Sequence, residues 1–343
     1  MGSDQRGRSG GNVPVESDGA ARPSKITTAL TELLGIDHPI VLAPMGDVAG
    51  GRLAAAVSAA GGFGQIGGGY CELDYLNREI DLAEGARVGV GFITFSLDQE
   101  PSALDIALEL GPPAIQLSFG DPRTYVSRIR DAGALLICGV QSPEEVDLAL
   151  EAGADLLVAQ GRDAGGHGRP DVGTMGLIPS VVDRAGSTPV IAAGGIADGR
   201  GLAAALMLGA AGVAMGTRFL ASVEAISNPN EARMLTALGA FDTVRTDVYD
   251  VVRGPVWPEG HDGRVYRSRF VDDWNSEPAH PDEQITDLHD RYFESREDDY
   301  SVRPLWAGEG LDLISSIEPA GAIIEAIVAQ AIETLGGAGG YLC

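Results

Sequence analysis

The chain has 343 residues, of which 44% are apolar and 48 are glycine, and its formal net charge is −25. This length allows one large domain or two ordinary ones, and so negative a charge argues against binding nucleic acid or an anionic membrane surface. No secretion signal or apolar run of membrane-spanning length is visible, and the three cysteines predict neither a disulfide framework nor a metal site, so we expect a soluble cytoplasmic protein.

Short apolar runs dominate the sequence from residue 39 onward. Residues 1–24 contain no aromatic side chain and are rich in Gly, Ser, Asp and Arg, which predicts a disordered tail. Continuous apolar runs of this length are typical of strands buried on both faces. The eight runs are PIVLAPM (39–45), FGQIGGG (63–69), RVGVGFIT (87–94), AIQLSFG (114–120), ALLICGV (134–140), LLVAQG (156–161), PVIAAGG (189–195) and GVAMGTRF (212–219).

Helical patterns separate these runs. GRLAAAVSAAG, SPEEVDLALEAG and DGRGLAAALMLGA have apolar residues at helical spacing, and each contains a glycine suited to end a helix. Ser142 followed by Pro143 and two glutamates is a helix start, with a cap, a proline at the first position and acids in the first turn. Eight strand–helix units predict an α/β fold, a closed (β/α)8 TIM barrel. An open doubly wound sheet is the alternative, which the even spacing disfavours.

The pattern changes after Phe219. Residues 221–320 hold 21 of the 49 acidic residues against 9 arginines, and helices are expected around 230–238, 283–294 and 318–335. We therefore predict a disordered tail (1–24), a barrel (25–224), and an acidic segment of helices and loops near the barrel mouth (225–310). The remainder (311–343) would be a C-terminal helix that packs back on the barrel, followed by a short tail.

The predicted rim of the barrel is rich in glycine. Active sites of such barrels lie at the carboxyl ends of the strands, and glycine there lets a flat ligand approach the main chain. Gly194-Gly195 follow strand seven, and Gly216-Thr217 follow strand eight. These two ends often bind a phosphate with the N–H groups of a helix start, so we expect an anion site here rather than simple turns.

His167 is the one histidine placed at this rim. It lies between Gly165-Gly166 and Gly168, after the buried run that ends at Gln160. The other four histidines lie before the first strand or in the acidic segment, and none is at metal-ligand spacing from another. An imidazole can accept a proton near neutral pH, so His167 is the candidate general base.

Several of these motifs together resemble the nitronate monooxygenase family, once called 2-nitropropane dioxygenases. The resemblance covers roughly residues 30–335. The segments that carry it are HPIVLAPMGDVAGGRLAAAVSAAGGFGQIGGG, VAQGRDAGGHGR, PVIAAGGIADGRGLAAALMLGAAGVAMGTRF and WAGEGLDLI. FMN-dependent enoyl reductases and inosine-phosphate dehydrogenases share similar phosphate loops, so the His167 element and the two glycine loops are specific only in combination.

The resemblance implies FMN in a TIM barrel and assigns a role to each matching residue. His167 would be the catalytic residue over the flavin, and it would remove a proton next to the nitro group or pair with the nitronate. Gln160 would face the polar edge of the ring. The remaining cofactor-binding residues would be Ala43, Pro44 and Met45 near the isoalloxazine, Gly161 and Gly166 in the loop, and Gly194, Gly195, Gly216 and Thr217 at the phosphate. Departures from the common family pattern are Asp47, Arg162, Asp163 and Glu309.

The activity so implied is oxidation of alkyl nitronates with dioxygen to carbonyl compounds and nitrite. Its partners would be a nitronate or nitroalkane and dioxygen, and a homodimer is one assembly open to the protein. Two alternatives remain: an FMN-dependent NAD(P)H reductase of an enoyl or quinone acceptor on the same barrel, and a non-catalytic flavin-binding protein.

Overall fold

The computed structural model describes residues 25–254, 257–277 and 280–341. The predicted tail (1–24) and Cys343 lie outside these ranges. The strands in the described ranges are β1 (Ile40–Leu42), β2 (Gln65–Gly67), β3 (Gly89–Ile93), β4 (Ala114–Ser118), β5 (Leu135–Val140), β6 (Leu156–Gln160), β7 (Gly166–Gly168), β8 (Val190–Ala193), β9 (Gly212–Met215), β10 (Thr243–Thr246) and β11 (Asp262–Tyr266). The α-helices are α1 (Ala29–Leu34), α2 (Gly51–Ala59), α3 (Leu73–Leu82), α4 (Thr94–Leu97), α5 (Ser102–Glu109), α6 (Val126–Asp131), α7 (Pro143–Glu151), α8 (Thr174–Ala185), α9 (Gly199–Met207), α10 (Thr217–Leu220), α11 (Pro229–Leu235), α12 (Val248–Arg253), α13 (Arg269–Asn275), α14 (Asp282–Glu294) and α15 (Ala320–Gly337).

Eight parallel strands form a barrel sheet in the order β1-β9-β8-β6-β5-β4-β3-β2. The ring closes between β1 and the residues just before β2. There the N–H of Leu42 donates to the carbonyl of Phe63, and the N–H of Phe63 donates to that of Ile40, each over 2.9 Å. Each of the eight apolar runs contains one of these strands, so the predicted (β/α)8 barrel is confirmed and the open sheet is excluded.

The apolar runs are continuous because the strands bury both faces. Side chains such as Val41, Phe63 and Ile191 share one buried cluster with Leu30 and Leu34 of α1. The helix is held at the amino-terminal ends of the strands, where the Thr28 hydroxyl donates to the carbonyl of Ala211 over 2.6 Å. Helix α1 therefore closes that end of the barrel and leaves the carboxyl ends of the strands for a site.

The outer layer contains the three helices expected from their sequence patterns, α2, α7 and α9. The cap of α7 is Ser142, whose hydroxyl accepts the N–H of Glu145, as expected. Because α10 has only four residues, the long helix α15 packs between α9 and α2 and completes the outer ring. Helix α15 is long and apolar enough to cross a membrane, but its Ile323 and Ile327 face is buried against the barrel, as in a core helix.

The segment after β9 has a core of its own and reaches back to the barrel. Helices α11 and α14 match the expected ones, but the segment also contains strands β10 and β11, which the sequence did not predict. These strands form an antiparallel sheet with β7, the strand that carries His167. The stretch after β6 that carries His167 is therefore part of a three-stranded sheet.

Candidate active site

A cavity of about 280 Å³ opens at the carboxyl ends of the barrel strands. Ten of the eleven site residues expected from the sequence line it: Ala43, Pro44, Met45, Gln160, Gly166, His167, Gly194, Gly195, Gly216 and Thr217. Gly161 does not line the cavity. Its N–H donates to the carbonyl of Ala193 over 2.9 Å, and a Cβ there would lie 2.3 Å from the Thr174 hydroxyl, so Gly161 allows close packing behind the wall.

One end of the cavity is made of bare backbone. Gly194 and Gly195 adopt φ of +114° and +66°, which glycine tolerates and other residues rarely do. Among the described residues, the N–H groups of Gly194, Gly195 and Gly216 have no hydrogen-bond acceptor. Thr217 accepts the N–H of Gly308 over 3.0 Å, which leaves its hydroxyl hydrogen free to donate. These unpaired donors suit an anionic group such as a phosphate.

The backbone around His167 is fixed from both sides. His167 lies opposite Gly263 of β11 in the small sheet. The side-chain amide of Gln160 donates to the carbonyl of His167 over 2.8 Å, and Arg245 of β10 donates to the carbonyl of Gly168 over 2.5 Å. Gln160 thus lines the cavity, and its amide nitrogen holds the histidine strand in place.

The imidazole of His167 is enclosed by groups from the segment after β9. Its Nε2 lies 2.7 Å from Oδ1 of Asp250 on α12, and only 9% of the histidine side chain is exposed. The ring is stacked on Trp257, with centroids 3.6 Å apart and planes inclined by 3°. Trp306 lies beside it at a centroid distance of 4.8 Å.

The outer wall of the cavity is aromatic and weakly charged. The indole N–H of Trp257 donates to the hydroxyl of Tyr70 over 3.2 Å, and the ring of Phe119 meets Trp257 edge to face. Burial is the main cause that raises the pKa of the Tyr70 phenol, so this group stays protonated at physiological pH. Arg253 also lines the cavity, with its guanidinium 5.8 Å from the centre of the Tyr70 ring, and supplies a positive charge.

Two of the residues that depart from the common pattern lie at or near the site. Asp47 lines the cavity with φ of +59°, a left-handed conformation that favours glycine, and no contact in the described residues explains the aspartate. Glu309 lies 2.8 Å from the guanidinium of Arg264 on β11, whose side chain is only 10% exposed. The glutamate therefore balances a buried charge in the small sheet that carries His167.

Sequence patterns did not reveal several residues that the segment after β9 contributes to the site, among them Glu231, Asp250, Arg253, Trp257, Trp306, Gly308 and Gly310. Within that segment, the WAGEG motif and the tryptophan of GPVWPEG were visible in the sequence, but nothing there indicated that they face the cavity. Asp250 lies 83 residues from His167 along the chain, and no local pattern singles it out from the other acids.

The sequence matches one protein-family model and several named proteins. The family model described as "Nitronate monooxygenase" matches residues 27–89 and 92–330. A protein from Staphylococcus saprophyticus named "Probable nitronate monooxygenase" is 32% identical over 364 residues, which covers 91% of this chain and 99% of that protein. A (3aS,4S,5R,7aS)-5-hydroxy-7a-methyl-1-oxo-octahydro-1H-indene-4-carboxyl-CoA dehydrogenase from Mycobacterium tuberculosis is 35% identical over 252 residues, 72% of this chain and 68% of that protein.

Solved structures share the fold over nearly the whole chain. FabK from Thermotoga maritima has a TM-score of 0.82 and 34% identity, covering 92% of this chain and 100% of that chain. The nitroalkane oxidase from Streptomyces ansochromogenes has a TM-score of 0.74 and 30% identity, covering 90% of this chain and 99% of that chain.

Proposed function

This chain belongs to the nitronate monooxygenase family and is an oxidoreductase, and we propose that it uses FMN to oxidise alkyl nitronates with dioxygen to carbonyl compounds and nitrite. The family is one of flavin-dependent enzymes that act on a small molecule and use oxygen. The observation that carries the proposal is the position of His167: it lines a cavity at the strand ends whose other end has unpaired N–H donors.

The residues present fit FMN. A phosphate would take the N–H groups of Gly194, Gly195 and Gly216 and the hydroxyl of Thr217, none of which is used up by the described protein. A Cβ on Gly216 would lie 3.1 Å from the Met45 sulfur, so this bare position keeps the cavity open. When bound, the flavin supplies the one-electron chemistry that no side chain can provide.

His167 would handle the proton and the charge of the substrate. Its Nε2 faces Asp250, and its Nδ1 has no hydrogen-bond partner among the described residues. A neutral imidazole can accept a proton from the carbon next to a nitro group, and the resulting cation can pair with the nitronate. Arg253 adds a second positive charge to a wall that also holds the carboxyl groups of Asp47 and Glu231, so it offsets negative charge where an anionic substrate would bind.

The test is anaerobic and aerobic mixing of the purified, flavin-loaded protein with ethylnitronate, NADH and NADPH. We expect ethylnitronate to drive oxygen uptake and nitrite release, with slow or absent bleaching of the flavin by either nicotinamide. Rapid bleaching by a nicotinamide, without nitronate-driven oxygen uptake, would exclude the proposal.

A reductase is the second candidate function. It would reduce an enoyl or quinone acceptor with NAD(P)H, and the likeness to FabK from Thermotoga maritima fits it, but no better than it fits the proposed function. The same mixing experiment distinguishes the reductase from the monooxygenase, because only the reductase would be rapidly bleached by NADH or NADPH. A protein that binds FMN fully but turns over with no donor would be the non-catalytic flavin-binding alternative.

The proposal includes a cytoplasmic location, for which the two described cysteines give support. Cys71 and Cys138 are buried free thiols, as is common in reducing compartments. We also propose that the chain is divided into a barrel (25–224), a segment near the barrel mouth (225–310) and a C-terminal part (311–343).

A homodimer is one assembly that the proposal allows. Sedimentation of the flavin-loaded protein tests whether the protein is a dimer.

A further inference from the structure

We propose that Asp250 is a positioning residue that holds His167 in its Nε2–H form, so that Nδ1 is the nitrogen that takes the proton of the substrate. This inference rests on the proposed function of His167 as the base. Asp250 does not line the cavity, and its carboxylate reaches the site through the contact with His167 Nε2, so its effect on the reacting proton should pass through the histidine.

The contact between the two residues defines the tautomer. The Nε2 of His167 and Oδ1 of Asp250 are 2.7 Å apart, and their side chains are 9% and 11% exposed. An ionised carboxylate can only accept hydrogen bonds, so the hydrogen must lie on Nε2. A neutral imidazole with Nε2–H leaves the lone pair on Nδ1, which is then the basic atom.

The plane of the ring is fixed independently of this hydrogen bond. Trp257 stacks on one face at 3.6 Å, and Trp306 lies at 4.8 Å. The strand beneath is held by Gln160, which donates to the carbonyl of His167. Stacking restricts tilt of the ring but not rotation within its plane, so the bond to Asp250 is the contact that decides which nitrogen is presented.

Helix α12 can hold a carboxylate in one place because its own core is well packed. Tyr249 and Val252, on either side of Asp250 in the sequence, are 1% and 2% exposed and belong to the buried cluster of the segment after β9. A helix anchored in this way gives Asp250 little freedom to follow the ring. Preorganised orientation of a base is worth more to the reaction than the hydrogen bond is to folding.

The proposed step balances. The C–H bond next to the nitro group breaks, its electron pair stays on the substrate as the nitronate, and the proton forms an N–H bond at Nδ1 of His167. The imidazolium then carries one positive charge, which the Asp250 carboxylate faces directly. No oxidant or reductant enters this step.

The test compares Asp250→Asn with Asp247→Asn in the flavin-loaded enzyme. A carboxamide at position 250 can donate or accept, so the constraint to the Nε2–H form is lost. Asp247 precedes the same helix, and its Oδ1 accepts the indole N–H of Trp274 over 2.7 Å, so its variant removes a neighbouring carboxylate without touching His167. Nitrogen NMR of histidine-labelled protein reports the tautomer, with the His167 signals identified by their loss in His167→Asn.

We expect wild type and Asp247→Asn to show the Nε2–H form, and Asp250→Asn to lose it. With neutral nitroethane, kcat of Asp250→Asn should fall about 100-fold with KM within about threefold, by analogy with other histidine-orienting carboxylates. With preformed ethylnitronate, which needs no proton removed, the fall should be less than about tenfold. A purely structural carboxylate would lower both activities alike.

An unchanged tautomer in Asp250→Asn, or equal loss of activity with both substrates, overturns the inference. Failure of the proposed function looks different, because wild type would then turn over neither nitro compound while the NMR spectrum still depended on Asp250. Asp250→Glu, which restores a carboxylate, should recover the Nε2–H signal; failure to do so would also count against the inference.

Discussion

The indole of Trp257 lies flat against the imidazole of His167, with 3.6 Å between ring centroids and 3° between planes. Trp257 comes from the segment after the barrel, whereas His167 follows the sixth barrel strand. The histidine therefore lies between two parts of the chain, and the polar and aromatic contacts of its side chain are with Asp250, Trp257 and Trp306.

We expect His167→Asn to fold and bind FMN but to lose at least about 100-fold in turnover, because the general base is gone. Flavin absorbance after gel filtration measures cofactor retention, and nitrite release measures turnover. Release of FMN from the variant would instead make His167 a structural residue.

Thr217→Val should weaken FMN binding about tenfold, or about 1.4 kcal/mol, because valine can neither donate to the phosphate nor accept the N–H of Gly308. Titration followed by flavin fluorescence gives the Kd. The matched control is Thr334→Val, where the lost hydroxyl donates to the carbonyl of Gln330 on an exposed part of α15. If both variants bound FMN with equal affinity, the phosphate would not be in contact with Thr217.

Arg245→Lys should lower the free energy of unfolding by about 2–3 kcal/mol and reduce turnover. The guanidinium donates to the carbonyls of Arg162, Gly168 and Asp262, and an ammonium group cannot reach all of them. Urea unfolding measures the change. Arg267→Lys, in an ion pair whose arginine is 55% exposed, should cost less than about 0.5 kcal/mol. Similar losses in the two variants would contradict a special role for Arg245.

Glu231→Gln should raise the Tm at neutral pH by about 1–3 °C. Burial is the largest cause that raises the pKa of the Glu231 carboxyl, and hydrogen bonds with Tyr300 and Asn228 offset this only in part. A carboxyl whose pKa is raised on folding stabilises the protein below its ordinary pKa, and this stabilisation is lost as the pH rises through the folded pKa. Glutamine carries no charge at any pH, so it escapes that loss.

The advantage of Glu231→Gln should therefore shrink as the pH falls below the ordinary range of glutamate. Thermal unfolding at neutral pH and at about pH 4, with FMN in excess, tests this sign. Glu294→Gln, at an exposed end of α14, is the control with no expected pH-dependent gain. If the Tm advantage of Glu231→Gln over wild type increased on acidification, the carboxylate rather than the protonated acid would be the stabilising form.

The barrel could be predicted from the sequence because its strands bury both faces. Each strand therefore required an uninterrupted apolar run, and glycines marked where the strands ended. Strands β10 and β11 gave no such signal, since TVRT and DGRVY are short and contain arginines. They form because Val265 is buried in the cluster of the segment after β9, and their arginines Arg264 and Arg245 are paired with Glu309 and Asp262.

Some residues of the candidate site could be predicted from local sequence patterns, and others could not. His167 stood out because glycines flank it and a buried strand leads to it. Asp250, Trp257 and Trp306 lie in a segment whose approach to the barrel depends on tertiary packing and on the pairing of β11 with β7. The spacing of apolar residues and the amino-acid composition carry no information about which strands pair across the fold.

Leu30 and Leu34 of α1 fill the amino-terminal end of the barrel, so in the described part of the chain the cavity opens at the carboxyl ends of the strands. A ligand seated against the strand ends must bind before a ligand held near Trp257, and it can leave only after that second ligand has left. A ligand held at the mouth should therefore slow the escape of one seated against the strand ends, so that saturating substrate protects the inner ligand from exchange.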